Sequence, residues 1–176
     1  MPTFSIIIPV FNRSEELEEL LETIATQRFR DFEVVVVEDG SQQPCEHVVD
    51  KFKSKFPIKY VVQENKGPGP ARNTGAENAI GRWLIFLDSD CMLPADYLDL
   101  VSCETDCEDF DCFGGPDKPH PSFNIKQKAI GYAMSSVLTT GGIRGAKENL
   151  DIFYPRSYNL GVRKSVFKVL EGFSEM

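Results

Sequence analysis

The run Glu33-Val34-Val35-Val36-Val37-Glu38-Asp39-Gly40-Ser41 decides the fold. Its valines are β-branched and leave no wet face, which predicts a central parallel strand covered by helices on both sides. The strand stops abruptly at two carboxylates and an Asp-Gly turn, so polar chemistry begins where the apolar run ends. Upstream, Phe4–Val10 (FSIIIPV) has the same character and is bounded by Asn12. Between the two, Leu17, Leu20, Leu21 and Ile24 recur at the spacing of one helical face. Ser14 or Asn12 is the expected cap of that helix, and Glu15 and Glu16 lie in its first turn.

Working outward, the sequence predicts a helix over 44–55 with Val48, Val49 and Phe52 inward, and a strand over 58–62. A helix over 70–79, a strand over 83–87 (WLIFL) and a helix from 94 to about 103 follow. Strand and helix alternating at this spacing mean βαβ units and a largely parallel sheet sandwiched by helices, an α/β fold. Past 103 the rhythm weakens. A short strand over 111–113, a helix over 124–138, a loop over 139–155, a strand over 158–162 and a short helix over 165–170 are expected. No internal repeat or linker divides the chain, and its 176 residues are read as one domain.

With 27 acidic against 19 basic residues the formal net charge is −8, which argues against a nucleic-acid partner. The longest apolar runs fall far short of the roughly 18 residues of a membrane span. Met1-Pro2-Thr3 leads directly into a strand with neither a basic nor an apolar leader, so a cytoplasmic location is expected. The five cysteines share no pair of CxxC spacings. Cys103, Cys107 and Cys112 invite a metal reading, but no histidine stands near them, and reduced thiols are the expectation.

In an open parallel sheet the ligand crevice lies beyond the carboxyl ends of the strands. Those ends read Pro9-Val10-Phe11-Asn12, Glu38-Asp39-Gly40-Ser41, Asn65-Lys66-Gly67 and Asp88-Ser89-Asp90. The first turn lacks the GxGxxG that binds a dinucleotide, and no GxxxxGK[S/T] phosphate loop occurs. Any diphosphate held here must be neutralised by something other than glycine amides. Asp88 and Asp90, one residue apart at a strand end, suit a hard divalent cation, although an Asp-Ser-Asp turn or cap is the plainer alternative. Asp39 can accept a base N–H or a ribose hydroxyl, or serve only its Asp-Gly turn. Phe11 offers a face to a nucleobase, or fills the core. Arg72 sits early in its helix, against the dipole, which points to an external acceptor or to an ion pair with Asp39 or Glu38.

Together with Ala71-Arg72-Asn73-Thr74-Gly75 and Glu171-Gly172-Phe173-Ser174-Glu175, these strand-end segments resemble family 2 glycosyltransferases, inverting enzymes of the GT-A nucleotide-sugar fold. The resemblance implies a transferase moving a sugar from a nucleoside diphosphate, a UDP-sugar by expectation, to an acceptor hydroxyl on a saccharide or lipid-linked glycan. It implies a donor-binding half over 1–103 and an acceptor-side half over 104–176. By the same resemblance Asp39 reads the base imide, Phe11 packs on the base, and Arg72 stands near it. Pro9, Asn12, Asn65 and Ser89 complete the nucleotide rim. Asp88 is placed by the ribose and the metal's water shell, and Asp90 is the direct Mg²⁺ or Mn²⁺ ligand. Asn159, Gly161, Gly172, Phe173 and Glu175 belong to the segment near donor sugar and acceptor.

Two departures stand out. The family's Gly-Gly-Phe is Glu171-Gly172-Phe173 here, with less backbone freedom at its first position. The Glu-Asp pair that carries the family's general base would follow Met176, so no residue here is assigned that role, and Glu175 is not promoted to it. A non-catalytic nucleotide-sugar-binding domain is therefore the alternative expectation. A sugar-nucleotide pyrophosphorylase of related fold would need a glycine-rich phosphate loop with a basic residue after the first strand, which Pro9–Asn12 does not provide. Membrane contact is expected only peripherally, at the inner face, or through a segment outside this sequence.

Overall fold

Val34, Val35, Val36 and Val37 are all fully buried, because the strand that carries them is flanked by neighbours on both edges and covered on both faces. The computed structural model describes residues 1–107, 110–115, 124–126, 129, 132 and 157–174. In chain order the elements are β1 (Phe4–Val10), α1 (Ser14–Ala25), β2 (Phe32–Asp39), α2 (Glu46–Asp50), β3 (Ile58–Gln63) and α3 (Pro68–Asn78). They continue with β4 (Trp83–Leu87), α4 (Tyr97–Cys107), β5 (Cys112–Gly114), β6 (Asn159–Arg163) and a last helix, here α5 (Lys164–Val169). By packing, Met1–Phe113 with Ser157–Met176 form one compact unit and Gly114–Arg156 a second. In the second unit residues 125, 126, 129 and 132 of the expected helix are helical. The rest of that helix and the loop over 139–155 lie outside the described residues.

The six strands run in the order β3-β2-β1-β4-β6-β5. β1 is parallel to both β2 and β4, and β2 to β3, as expected; β6 runs antiparallel to β4, pairing Leu87 with Asn159 and Trp83 with Arg163. Side chains alternate across the sheet. Phe4, Ile6, Ile8 and Val10 of β1 join α1 and α2 in one apolar layer, while Ile7 joins α3 in the other. The α3 layer is thin: Ala71, Gly75 and Ala76 meet the sheet, and a Cβ on Gly75 would stand 2.3 Å from Ile7 Cγ2. Pro9 sits in β1 beyond its last pairing with β4, Ile7 to Phe86, so its missing N–H costs no bond on that side.

Three local expectations need correction. Neither Ser14 nor Asn12 caps α1; the N-cap is Arg13, without a side-chain bond, because the Asn12 amide is used elsewhere. α2 is shorter than 44–55, and the chain after it turns with Lys51, Phe52 and Lys55 donating three residues back. Those turns bring Phe52 and Phe56 into a stack at 6.0 Å. α4 begins at Tyr97 rather than 94, where buried Gln27 accepts from the Leu98 N–H and donates to the Pro94 carbonyl. No helix among the described residues is long and apolar enough to cross a membrane.

Candidate functional site

Strand order reverses between β1 and β4: β2 and β3 lie to one side of β1 and β4 to the other. The crevice of such a sheet opens at that switch point. Asp39, at the end of β2, is 3% exposed. Its Oδ1 accepts from Gln63 Nε2 (2.7 Å) and the Lys66 N–H (2.9 Å), and Oδ2 from the Gly67 N–H (2.9 Å). Asn65 Nδ2 adds a bond to the Asp39 carbonyl (3.0 Å). Gly40 makes this closure possible, with φ +71° and the Asn65 backbone nitrogen 2.6 Å from where a Cβ would stand. A carboxylate has about four acceptor positions, and these donors fill three of them.

Glu38, buried beside it, organises the next stretch. Its Oε1 accepts the Ser41 hydroxyl, and Oε2 accepts the Cys45 N–H (2.8 Å) and the Tyr60 hydroxyl (3.0 Å). Burial, reinforced by Glu38, pushes the Cys45 thiol up to about 12 and the Tyr60 phenol upward as well. Ser41 Oγ accepts the Asn12 N–H (2.7 Å), and Asn12 Oδ1 accepts the Gln42 N–H (2.8 Å). Asn12 is thereby fixed at φ +55°, a conformation that asparagine tolerates better than most residues. Phe11 beside it stays 48% exposed, so it is a rim residue and does not fill the core.

Across the crevice, Arg72 Nη2 pairs with Asp88 Oδ1 at 2.6 Å. The expected alternatives, Asp39 and Glu38, do not serve as its partner; each instead accepts three hydrogen bonds from other donors. Arg72 is 7% exposed, its guanidinium lies over the Phe173 ring (5.5 Å to the centroid), and its Nε is buried without a hydrogen-bond partner. Arg13 Nη1 reaches Asp90 Oδ2 at 2.8 Å, with both side chains about half exposed. Ser89, between the two aspartates, is buried.

Asn159 begins β6 directly opposite Leu87, which puts it beside Asp88, and its Oδ1 accepts the Tyr97 hydroxyl at 2.7 Å. Burial and the nearby Cys91 raise the Tyr97 phenol, so it stays a neutral donor. Gly161 lies deeper in the sheet opposite Ile85, and a Cβ there would fall within 2.0 Å of the Phe113 ring. Its missing side chain makes room for Phe113. Gly172 (φ +77°) and Phe173 are held by Asn73, and Phe173 packs edge-on against Phe86 at 5.1 Å. Glu175 lies outside the described residues.

Asp88 and Asp90 supply hard oxygens at an open strand end, and each commits one oxygen to an arginine. Among the described residues no cluster of three or more His, Cys, Asp or Glu forms a closed cage. An open carboxylate pair of this kind suits Mg²⁺ or Mn²⁺, which keep waters and take the remaining ligands from phosphate. Cys45 is buried and Cys103 and Cys112 are exposed; none is in a disulfide.

Residues 5–116 match the sequence profile described as glycosyl transferase family 2. The chain belongs to that family. An uncharacterised glycosyltransferase of Rickettsia felis is 36% identical over 96 residues, 54% of this chain and 16% of the relative. The Staphylococcus aureus poly(ribitol-phosphate) β-N-acetylglucosaminyltransferase TarS is 38% identical over 94 residues, 51% of this chain and 16% of the relative. The structure of TarS 1-349 with UDP-GlcNAc superposes with a TM-score of 0.74 at 27% identity, over 97% of this chain and 48% of that one. A Pyrobaculum calidifontis mannosyltransferase in complex with GDP-Man and Mn²⁺ shares the fold, with a TM-score of 0.76 at 20% identity, over 99% and 48% of the two chains. This family 2 chain thus spans about half, or less, of the length of the relatives it matches, and its fold is GT-A.

Within this family 2 chain, Asp39, Arg72, Asp88, Ser89 and Asp90 come together with Phe11 and Asn12 around the switch point. Gly161 does not reach that rim. Sequence reading gave no role to Gln63, Arg13, Asn73 or Tyr97, which hold Asp39, Asp90, Phe173 and Asn159 respectively. The available signal was position: Arg13 ends the first strand-end loop, and Asn73 directly follows Arg72.

Proposed function

We propose that this chain binds a nucleoside-diphosphate sugar, a UDP-sugar by preference, and transfers the sugar with inversion to an acceptor hydroxyl on a saccharide or lipid-linked glycan. Residues 1–103 form the donor-binding half and 104–176 belong to the acceptor side of a single GT-A domain. What supports this reading is that Asp39 ends β2 while the Arg72–Asp88 pair and Asp90 follow β4, the two strands on either side of β1. TarS in complex with UDP-GlcNAc supports the choice of donor.

Asp39 has one acceptor position left for a base imide N–H, and the half-exposed Phe11 ring stacks on the base. Pro9, Asn12 and Asn65 shape the wall around them. Asp90, with Asp88, would hold Mg²⁺ or Mn²⁺, a Lewis acid that stabilises charge on a leaving diphosphate. Arg72, paired with Asp88 at 2.6 Å, holds that carboxylate in place for the ribose. Asn159 lines the sugar side, and Gly172-Phe173, clamped by Asn73, sets where the following chain leaves the site. Inverting transfer needs a carboxylate to take the acceptor's proton, a role assigned to none of these 176 residues. The proposed location is the cytoplasm, with membrane contact only peripheral, at the inner face, or through a further segment.

Thermal melts with UDP test the donor site. UDP should raise the melting temperature only when Mn²⁺ or Mg²⁺ is present, and Asp90→Ala should abolish the shift. No shift with any nucleotide and metal pair overturns the reading. Transfer from UDP-GlcNAc, assayed in this chain and in one extended past Met176, separates catalysis from binding alone. Turnover by the 176 residues themselves would eliminate the non-catalytic alternative.

A further inference from the structure

Arg13 lies opposite Asp90 across the β1/β4 crevice, and donor binding by Asp39, Asp88 and Asp90 leaves it no part beyond that ion pair. Its backbone is pinned. Asn12, the residue before it, is held at φ +55° by bonds to and from Ser41 and Gln42, and the Arg13 carbonyl accepts the Leu17 N–H at the start of α1. Its side chain is not pinned: it is half exposed, and its only hydrogen-bond partner shown is Asp90 Oδ2. An ion pair between half-exposed groups is screened by water and held weakly, so either member can exchange it for a stronger partner.

We propose that Arg13 is a further donor-binding residue that shares Asp90 with the divalent cation and passes to the diphosphate when the cation takes that carboxylate. The inference rests on the proposed function. Asp90, on binding a divalent cation, would release Arg13, because the cation carries twice the guanidinium's charge and would repel it. The displaced fork, still carried by a fixed loop at the same rim, would be free to pair with the oxygens of a diphosphate, which a planar guanidinium meets with paired N–H donors. Arg13 therefore acts in opposite directions on the two ligands. It opposes the cation bound alone and favours the nucleotide bound with the cation.

The experiment is calorimetric titration of the wild-type chain, Arg13→Gln and Arg13→Lys with Mn²⁺ alone and then with UDP at saturating Mn²⁺, alongside electron paramagnetic resonance of bound Mn²⁺. Arg13→Gln should bind Mn²⁺ alone roughly threefold or more tighter. The same variant should bind UDP with Mn²⁺ roughly tenfold weaker. Arg13→Lys, which keeps the charge and loses the fork, should leave the Mn²⁺ affinity near wild type and still weaken UDP. Both variants change an exposed side chain and should melt within a few degrees of wild type. A Mn²⁺ affinity that is unchanged or lower in Arg13→Gln, or an unchanged UDP affinity, overturns the proposal while the donor-site reading stands. Failure of the wild-type chain to bind UDP with Mn²⁺ overturns both.

Discussion

Asn73 and Phe173 exchange two hydrogen bonds of 2.9 Å: the Asn73 amide donates to the Phe173 carbonyl, and its oxygen accepts the Phe173 N–H. A side-chain amide thus pairs with a backbone as a strand neighbour would. It fixes the segment after α5 onto the first turns of α3, where Phe173 covers Arg72 and packs on Phe86 and Phe167. Asn73→Ala removes both bonds at once from a partly buried place. The expected loss is about 1–3 kcal/mol in urea unfolding, with faster proteolysis near 170–174 and weaker UDP binding. An unchanged proteolysis pattern would show that the aromatic contacts alone hold the segment.

The turn that delivers Phe173 is itself strained. After α5 the Glu171 N–H bonds the Lys168 carbonyl and the Gly172 N–H bonds the Phe167 carbonyl, the pairing of a Schellman motif. The left-handed position of that motif is occupied by Glu171 at φ +60°. Glutamate is disfavoured there by roughly 1–2 kcal/mol, partly offset because glycine gains freedom in the unfolded chain. Glu171→Gly should therefore stabilise the protein by about 0.5–1 kcal/mol, seen as a rise in melting temperature, with UDP affinity retained. A lower melting temperature would mean that the Glu171 side chain contributes more than the backbone loses.

Gly75 has the opposite character, since its value is space. With Ile7 Cγ2 2.3 Å and Val37 Cγ2 3.3 Å from the would-be Cβ, alanine forces α3 off the sheet. Gly75→Ala normally gains helix propensity, yet here the overpacking should dominate and cost about 1–3 kcal/mol. Chemical denaturation gives the sign directly.

Much of this was readable in advance because it depends on local pattern. Val34–Val37 could only be a doubly covered strand, and the spacing of strand ends located Asp39, Asp88 and Asp90 on one edge. What stayed hidden depends on which donor wins a given acceptor across long sequence distances. Arg72 had three carboxylates to choose from, and Asp39 went instead to Gln63 and the Lys66 and Gly67 amides. The antiparallel course of β6 was also invisible, because a five-residue strand looks the same in either direction. Family likeness puts Gly161 near the donor sugar and acceptor, whereas a Cβ there would fall on the Phe113 ring.

The Arg72–Asp88 pair should respond asymmetrically to removal of its members. Arg72 is 7% exposed, while the Asp88 side chain is 38% exposed. Asp88→Ala leaves a buried guanidinium without its counter-ion, and the expected cost is about 1–3 kcal/mol. Arg72→Met keeps the apolar contact with the Phe173 ring and leaves only a solvated carboxylate behind, so it should cost less. Both variants should weaken UDP binding. Equal stability losses would indicate that solvent reaches Arg72.

Alkaline pH should expose the buried thiol beneath the rim. Cys45 is 1% exposed, and burial with Glu38 raises its pKa from 9.0 to about 12. The folded state therefore keeps its proton where the unfolded chain has lost it. The thiol's contribution to stability is intact below pH 9 and falls as pH rises from 9 toward about 12. One such group sets a slope of at most about 1.4 kcal/mol per pH unit in that window. Tyr60, hydrogen-bonded to the same Glu38 carboxylate, shifts the same way and adds to the loss at the upper end. Cys45→Ala should be less stable at neutral pH, because it leaves a cavity in the α2 layer. Its stability should fall less steeply between pH 9 and 11 than that of the wild type. Urea melts in reductant across that range measure both slopes, and parallel slopes would show that the Cys45 thiol titrates alike in the folded and unfolded chains.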